Sequence, residues 1–180
     1  AKTLDDLRAA LRVERRRVGS DGWVVGWGLT FEMFQPTGIR GDLFAEAVGN
    51  GLAYVRFFDG HTAVASPAAL AFADVTGRER FEDFSTVVTD PDGTPTGELR
   101  ENGAMALVND AMPQPTAAEK YGWYVENVKK WNALGLTSLH VMIGKPALFD
   151  VVREMEANGD LAIRMVVPLW QEPDTSVDEM

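Results

Sequence analysis

The 180-residue sequence predicts an α/β fold, arranged as a partial TIM-type (β/α) barrel with an inserted subdomain. Short apolar runs rich in β-branched and aromatic residues, typical of buried strands, alternate with helical patterns that begin at capping residues and end at glycines. The links between the last helices and strands are short, which predicts parallel strands joined by crossovers. Three strands that end in polar or histidine-bearing turns are too few to close an eight-stranded barrel, which typically needs about 250 residues.

Helical and strand patterns follow one another in the first part of the chain. Thr3 is a predicted N-cap with Asp6 three residues later, and it begins an amphipathic helix that ends near residues 19–22. Apolar, β-branched and aromatic residues then predict strands at residues 23–28 and 52–58. The Asp-Gly-His sequence at residues 59–61 directly follows the second of these strands.

The middle of the chain carries the predicted insertion. Ser66 and Pro67 are predicted to be the N-cap and first residue of a helix. Residues 74–96 are polar and rich in turn residues, so we expect a hairpin or an inserted subdomain there. The Asp-Pro and Asp-Gly pairs at residues 90–93 indicate tight turns, and a helix is predicted at residues 101–107.

The last third of the chain has a regular helix–strand–helix–strand pattern. Thr116 and Glu119 form a predicted capping box that begins a helix, and a strand is predicted at residues 136–143. Pro146 begins the next helix, and a strand is predicted at residues 161–169. We expect these two strands to be parallel and joined by a right-handed crossover.

These patterns divide the chain into four segments. The predicted segments are a leading barrel helix (1–22), a strand and Asp-Gly-His turn with the inserted subdomain and following helix (23–115), a helix–strand–helix–strand part of the barrel (116–172), and an acidic tail (173–180).

Composition excludes several classes of function. The chain contains no cysteine, which excludes disulfides, thiolate metal sites and cysteine nucleophiles. A net charge of −10 argues against nucleic-acid and anionic membrane partners, and we interpret the basic cluster at residues 12–17 as a solvated helix face. No apolar run approaches the roughly 20 residues of a membrane span, so the prediction is a cytoplasmic protein.

The strongest candidate site is the turn after the second predicted strand, because α/β folds keep their functional groups at the carboxyl ends of strands. His61 can donate a hydrogen bond to a substrate carbonyl or orient a metal-bound water, and Asp59 is the predicted partner that fixes its tautomer. The alternative is a structural turn in which the histidine bonds to backbone. We favour the catalytic interpretation of His61 and Asp59.

Three further residues are candidates for substrate binding. Glu101 can contact substrate or hold the insertion against the barrel, and its alternative role is a first-turn acid that favours the helix dipole. His140 follows an apolar strand pattern, which suits a core histidine and a pocket-lining one equally. Trp170 can form an apolar pocket wall or pack in the core.

Short motifs spread along the chain carry a resemblance to a known family. They are Trp-Val-Val-Gly at 23–26, Asp-Gly-His at 59–61, Asp-Pro-Asp-Gly at 90–93, Pro-Thr-Gly-Glu-Leu-Arg-Glu at 95–101, and Gly-Leu-Thr-Ser-Leu-His at 135–140. In their order and spacing, the sequence resembles amidohydrolase family 3. That family consists of metal-dependent hydrolases and includes N-substituted formamide deformylases.

The resemblance implies a longer enzyme in which divalent metal, with zinc expected, activates a water that attacks an amide or N-acyl carbonyl and so cleaves the C–N bond. It implies metal ligands absent from this sequence: a His-x-His pair upstream, and a lysine, two histidines and an aspartate downstream. We therefore expect an internal fragment covering about barrel strands two to four, inactive alone and binding no metal itself. The implied substrate is a small-molecule amide.

Two other functions remain open. The chain can be a complete, non-catalytic α/β domain that binds a ligand or a partner through an exposed sheet edge. It can also be an enzyme completed by ligands from another subunit. Because cutting a barrel exposes apolar edges, a fragment is expected to self-associate, whereas an evolved binding domain is expected to be monodisperse.

Overall fold

The computed structural model describes residues 3–142, 144, 146–168 and 176. The chain forms two compact units, Ala1–Gln114 and Pro115–Met180. The α-helices and strands of the first unit are α1 (Leu4–Val18), β1 (Val24–Leu29), α2 (Ala45–Val48), β2 (Ala53–Phe57), β3 (Thr62–Ala65), α3 (Pro67–Phe72), β4 (Thr86–Thr89), β5 (Pro95–Arg100) and α4 (Glu101–Asn109). Two 3₁₀ helices, Phe31–Phe34 and Gly41–Phe44, lie between β1 and α2. The α-helices and strands of the second unit are α5 (Ala117–Ala133), β6 (Ser138–His140), α6 (Pro146–Ala157) and β7 (Arg164–Val166).

The first unit is built on one mixed sheet of five strands in the order β1-β2-β3-β5-β4. Strands β1 and β2 are parallel, whereas the β2–β3, β3–β5 and β4–β5 pairs are antiparallel. The predicted α/β class is confirmed. The prediction missed β3, and with it the antiparallel half of the sheet, because Thr-Ala-Val-Ala is too short and too rich in alanine to give a strand pattern.

Apolar side chains on both faces of this sheet are buried. In one cluster, α1 and the segment between β1 and β2, which contributes Phe34 and Phe44, pack against Val55 and Val64 of the sheet. The other cluster joins α3 and α4 to the opposite face; its buried members from the strands are Tyr54, Ala63, Ala65, Val87 and Leu99. Since residues 54 and 55 are neighbours in β2 and point to opposite faces, the strand is covered on both sides.

The cluster of arginines in α1 includes one side chain with a structural role. The guanidinium of Arg15 donates to the carbonyl oxygens of Gly19 and Ser20 (both 2.9 Å) and Leu52 (3.2 Å), and also to that of Gly22. It thereby satisfies carbonyl groups at the end of α1, in the following turn and just before β2. The prediction that the arginine cluster at residues 12–17 is a solvated helix face is therefore wrong for Arg15.

The predicted hairpin in the insertion is confirmed as β4–β5. Its turn is closed by hydrogen bonds from the Gly93 N–H to the Asp90 carbonyl (2.8 Å) and from the Thr94 N–H to Asp92 Oδ1 (2.9 Å). The carboxylate of Asp90 also accepts two hydrogen bonds from the Arg40 guanidinium, at 2.8 and 3.0 Å. This fork-shaped ion pair attaches the turn to the segment before α2.

Two glycines, Gly97 in β5 and Gly41 in the segment before α2, meet closely at the end of β3. A Cβ atom on Gly97 would lie 2.6 Å from the Ala65 carbonyl oxygen, and one on Gly41 would lie 1.8 Å from the same atom. Gly97 also has a φ of +101°, a conformation that side-chain-bearing residues rarely adopt. The Thr-Gly-Glu-Leu-Arg sequence therefore needs its glycine for packing and for backbone conformation.

The second unit has the predicted helix–strand–helix–strand order. Thr116 and Glu119 form the capping box of α5, and β6 and β7 are parallel neighbours with α6 between them, which confirms the predicted capping box and the parallel arrangement. Both strands are three residues long, shorter than the predicted ranges. Val128, Met155 and Ile163 are buried at the centre of this unit.

Candidate functional site

Residues 58–61 form the tight turn of the β2–β3 hairpin. The Gly60 N–H donates to the Phe57 carbonyl oxygen (3.2 Å), and the His61 backbone N–H donates to Asp59 Oδ1 (3.0 Å). Gly60 has a φ of +78°, which a glycine adopts without strain. The expected turn from a strand into a helix is therefore wrong: the Asp-Gly-His sequence connects two antiparallel strands, and the helix capped by Ser66 follows β3.

The pairing of β3 with β5 places Glu101 opposite His61. Thr62 pairs with Arg100 in the ladder, so the next antiparallel pair outward is His61 with Glu101. The Glu101 backbone N–H donates to the His61 carbonyl oxygen at 2.8 Å. On the side chains, His61 Nδ1 lies 2.9 Å from Glu101 Oε2.

The ring partner of His61 is thus Glu101 and not Asp59. The hydrogen bond of Asp59 goes to the backbone N–H of His61, as in a structural Asp turn. Because an ionised carboxylate can only accept hydrogen bonds, His61 Nδ1 is the donor in its contact with Glu101. The predicted ring partner, Asp59, is therefore wrong: the carboxylate that contacts the ring comes from a residue 40 positions away.

Glu101 has an unusual backbone conformation for its residue type. Its φ is +62°, in the left-handed region that residues other than glycine, asparagine and aspartate seldom enter. The residue directly follows β5, which ends at Arg100, and begins α4, as the sequence predicted for a helix start. Such strained residues persist where the surrounding contacts hold them, and they are concentrated at functional sites.

The electrostatics of this pair favour a charged histidine. The pKa of His61 is raised above its ordinary value of 6.5, first by the hydrogen bond to Glu101 and then by the negative charge of that residue, with a smaller contribution from Asp59. The side chains remain accessible: His61 is 67% exposed and Glu101 39% exposed. A ligand can therefore reach the imidazole ring directly.

Exposed aromatic rings lie beside the hairpin. Phe31 stacks on Phe57 with ring centroids 4.6 Å apart and meets Phe58 edge-on at 6.5 Å. Phe31 and Phe58 are exposed even though both are large and apolar. Phe58 lies within the predicted buried strand at 52–58 but is exposed, so this surface was not predicted. The adjacent Phe57 and Phe58 could have indicated it, since adjacent residues in an extended chain point to opposite sides.

His140 lies in the second unit, at the end of β6. It pairs with Val166 of β7, and its side chain is exposed. Leu139, the residue before it, packs against the apolar cluster under the helices, so His140 points to the other face of this sheet. In this chain the side chain of His140 is thus not part of the described apolar core. The last candidate, Trp170, lies outside the described residues.

An open cavity of about 500 Å³ in the second unit contains none of the candidate residues. Its lining is mostly apolar and comes from α5, α6 and the two strands, including Trp131, Leu139 and Met165. Leu139 and Val141 reach it from the face of β6 opposite His140. This cavity is therefore separate from any site that uses His140.

Comparison with known proteins decides the family. A sequence profile of the amidohydrolase family matches residues 1–179. The chain belongs to the amidohydrolase family. Two solved structures resemble this amidohydrolase chain, both described as uncharacterized metal-dependent hydrolases: one from Pyrococcus horikoshii OT3 (17% identity, TM-score 0.55) and one from Pyrococcus furiosus (16% identity, TM-score 0.55). A comparison with curated protein sequences found no significant relative.

The similarity to these structures covers 94% of this chain but only 31% and 32% of theirs. The amidohydrolase chain thus spans about a third of the length of the hydrolases that it matches. None of the helices in the described part is long and apolar enough to cross a membrane.

The described residues do not fit a catalytic metal centre. Such a centre usually takes about three protein ligands, and the described part of the chain contains no group of three or more histidine, cysteine, aspartate or glutamate side chains able to hold a metal ion. The side chains of His61 and Glu101 form a pair with each other and, among the residues that the structure describes, are not part of a larger group of ligands. The divalent metal that this family implies therefore has no set of ligands among these side chains.

Proposed function

We propose that this chain is one segment of a longer metal-dependent amidohydrolase that cleaves an amide or N-acyl C–N bond of a small molecule. The observation that carries the proposal is the His61–Glu101 pair, an exposed imidazole aligned by a carboxylate in a chain that matches the amidohydrolase family. The segment corresponds to part of a TIM-type barrel, about strands two to four, and is inactive alone.

His61 is the proposed catalytic residue. When its ring is protonated, Nδ1–H is engaged by Glu101, and Nε2–H is available to donate to the carbonyl oxygen of the substrate. A donor at that position stabilises the negative charge that develops on the oxygen during attack. Asp59 contributes by holding the turn that carries His61. We propose His140 and Trp170 as substrate-binding residues.

Other parts of the longer protein complete this site. The divalent metal, which we propose to be zinc, is held by residues outside this segment, since the described residues supply no set of ligands. The acidic net charge of −10 supports the proposal of an enzyme without nucleic-acid or anionic membrane partners. We propose that it is cytoplasmic.

The test is turnover by the full-length protein with His61→Asn. We expect kcat to fall about 100-fold or more on an N-acyl or formamide substrate, because a positioned proton donor contributes roughly 10²–10⁴ in rate. Glu82→Gln, a change at an exposed residue of the same unit, is the control and should retain full activity. Unchanged turnover in His61→Asn would remove His61 from the site.

The alternative of a non-catalytic binding domain is favoured by one observation, the sheet edge formed by β1. Strand β1 pairs only with β2 among the described residues, and Val25 and Trp27 on it are exposed. The backbone groups of such an edge can pair with another strand. The hydrolase proposal predicts self-association of the isolated segment through this edge, whereas a binding domain would be monodisperse.

A further inference from the structure

We propose that Glu101 is the positioning residue of this site, and that it determines which nitrogen of His61 faces the substrate. The inference rests on the proposed function of His61 and adds a role for Glu101 different from substrate contact. Glu101 makes both a backbone and a side-chain hydrogen bond to the same residue, His61 (2.8 and 2.9 Å). Together these bonds fix the distance between the two residues and the direction of the ring.

The fold brings the two residues together through strand pairing. The ladder between β3 and β5 includes Thr62–Arg100, and Thr62 is buried. The start of β3 therefore cannot move away from the end of β5 without disrupting the sheet. Glu101 is held at this end of the ladder with its φ of +62°, so its carboxylate meets the ring from a fixed backbone position.

The neighbouring charged side chains bind other groups and do not compete for the hydrogen bond between Glu101 and the His61 ring. Arg100 binds Glu98 (2.7 Å), and Arg56 donates to the Gly60 carbonyl oxygen (3.0 Å). Asp59 accepts from the backbone N–H of His61 and has no hydrogen bond to its ring. Glu101 is thus the carboxylate that binds the imidazole.

The consequence is a defined tautomer. A neutral histidine free in water prefers to carry its proton on Nε2, but a carboxylate at Nδ1 requires the proton to be on Nδ1. Neutral His61 therefore presents the Nε2 lone pair to the open side, and protonated His61 presents Nε2–H there. In both states Nε2 faces the substrate, and no described residue bonds to it.

The experiment is a pH titration of this 180-residue chain, labelled with ¹⁵N in its histidines and followed by NMR of the ring nitrogens. The variants are Glu101→Gln, which keeps the shape and removes the charge, and Glu101→Gly, which adopts φ +62° without strain and keeps the backbone N–H but lacks the carboxylate. Asp59→Asn is the matched control, since it changes the acid that binds only the backbone.

In the unmodified chain and in Asp59→Asn we expect neutral His61 to carry its proton on Nδ1. Glu101→Gln should lower the His61 pKa, and Glu101→Gly should both lower it and return the proton to Nε2. An Nε2–H tautomer in the unmodified chain, or equal pKa values in all variants, would overturn the proposal. The NMR titration does not depend on enzyme activity. If the tautomer is as expected but His61→Asn leaves turnover unchanged, the proposed function fails while the positioning role of Glu101 stands.

Discussion

At the scale of single residues, Arg15 links three parts of the first unit through one planar side chain. Its hydrogen bonds reach the end of α1, the turn after it and the residue before β2. A lysine has the same charge but cannot form this fork. We expect Arg15→Lys to lower the free energy of unfolding by about 1–3 kcal/mol, measured by urea denaturation. Arg16→Lys, on the exposed side of the same helix, should change it by less than about 0.5 kcal/mol.

The contact between His61 and Glu101 makes stability depend on pH in a defined direction. The pKa of His61 is higher in the folded chain than its ordinary value of 6.5. Its contribution to stability is therefore complete below about 6.5 and is lost as pH rises through the folded-state pKa.

We expect the stability difference between the unmodified chain and Glu101→Gln to be larger at about pH 5.5 than at about pH 9. The measurement is the urea unfolding midpoint at several pH values. In a His61→Asn background the same Glu101→Gln change should show no such dependence between these pH values. A difference that grew with pH would contradict the assigned contact.

The sequence pointed to His61, Asp59 and Glu101 as candidates, but it did not contain the information that pairs His61 with Glu101. His61 and Glu101 are 40 residues apart, and their contact depends on the register of β3 against β5. A local pattern does not contain that register, so the nearest acid, Asp59, was the natural prediction for the ring partner. The left-handed conformation of Glu101 also has no sequence signal, because it is imposed by tertiary contacts.

At the scale of elements, Gly97 determines how closely β5 packs against the end of β3. An alanine there would place its Cβ 2.6 Å from the Ala65 carbonyl oxygen and would have to adopt a φ of +101°. We expect Gly97→Ala to destabilise the chain by about 2 kcal/mol or more in thermal or urea unfolding. The control is Gly122→Ala in α5, where a Cβ has free space; this change should be neutral or stabilise by up to about 1 kcal/mol.

Helices were predicted more accurately than strands for a physical reason. Capping residues such as Thr3, Ser66 and Thr116 bond to backbone groups three residues away, so their signal is local. Strands form bonds only with distant partners, and β3, β6 and β7 have three or four residues each. The length of such a strand is set by its neighbours in the sheet.

At the scale of the whole molecule, the sheet edge formed by β1 has an expected effect on association. Val25 and Trp27 lie on one face of this strand, 51% and 72% exposed. We expect Trp27→Lys to reduce self-association of the isolated chain, because a lysine on an edge strand disfavours edge-to-edge pairing. The measurement is molar mass by light scattering after size exclusion.

Phe84→Lys is the control, since Phe84 is 95% exposed and lies outside the strands. If both variants reduced association equally, general apolar exposure rather than the β1 edge would be its cause. A monomeric unmodified chain would instead favour the binding-domain alternative.

The distance in sequence between His61 and Glu101 has a consequence during synthesis of the chain. His61 leaves the ribosome 40 residues before Glu101. At a typical synthesis rate of about 5–20 residues per second, the imidazole is without its carboxylate for roughly 2–8 s. Over that interval the nascent histidine has the tautomer preference of a free side chain. The ring acquires its orientation only when the strand that ends in Arg100 has emerged and paired.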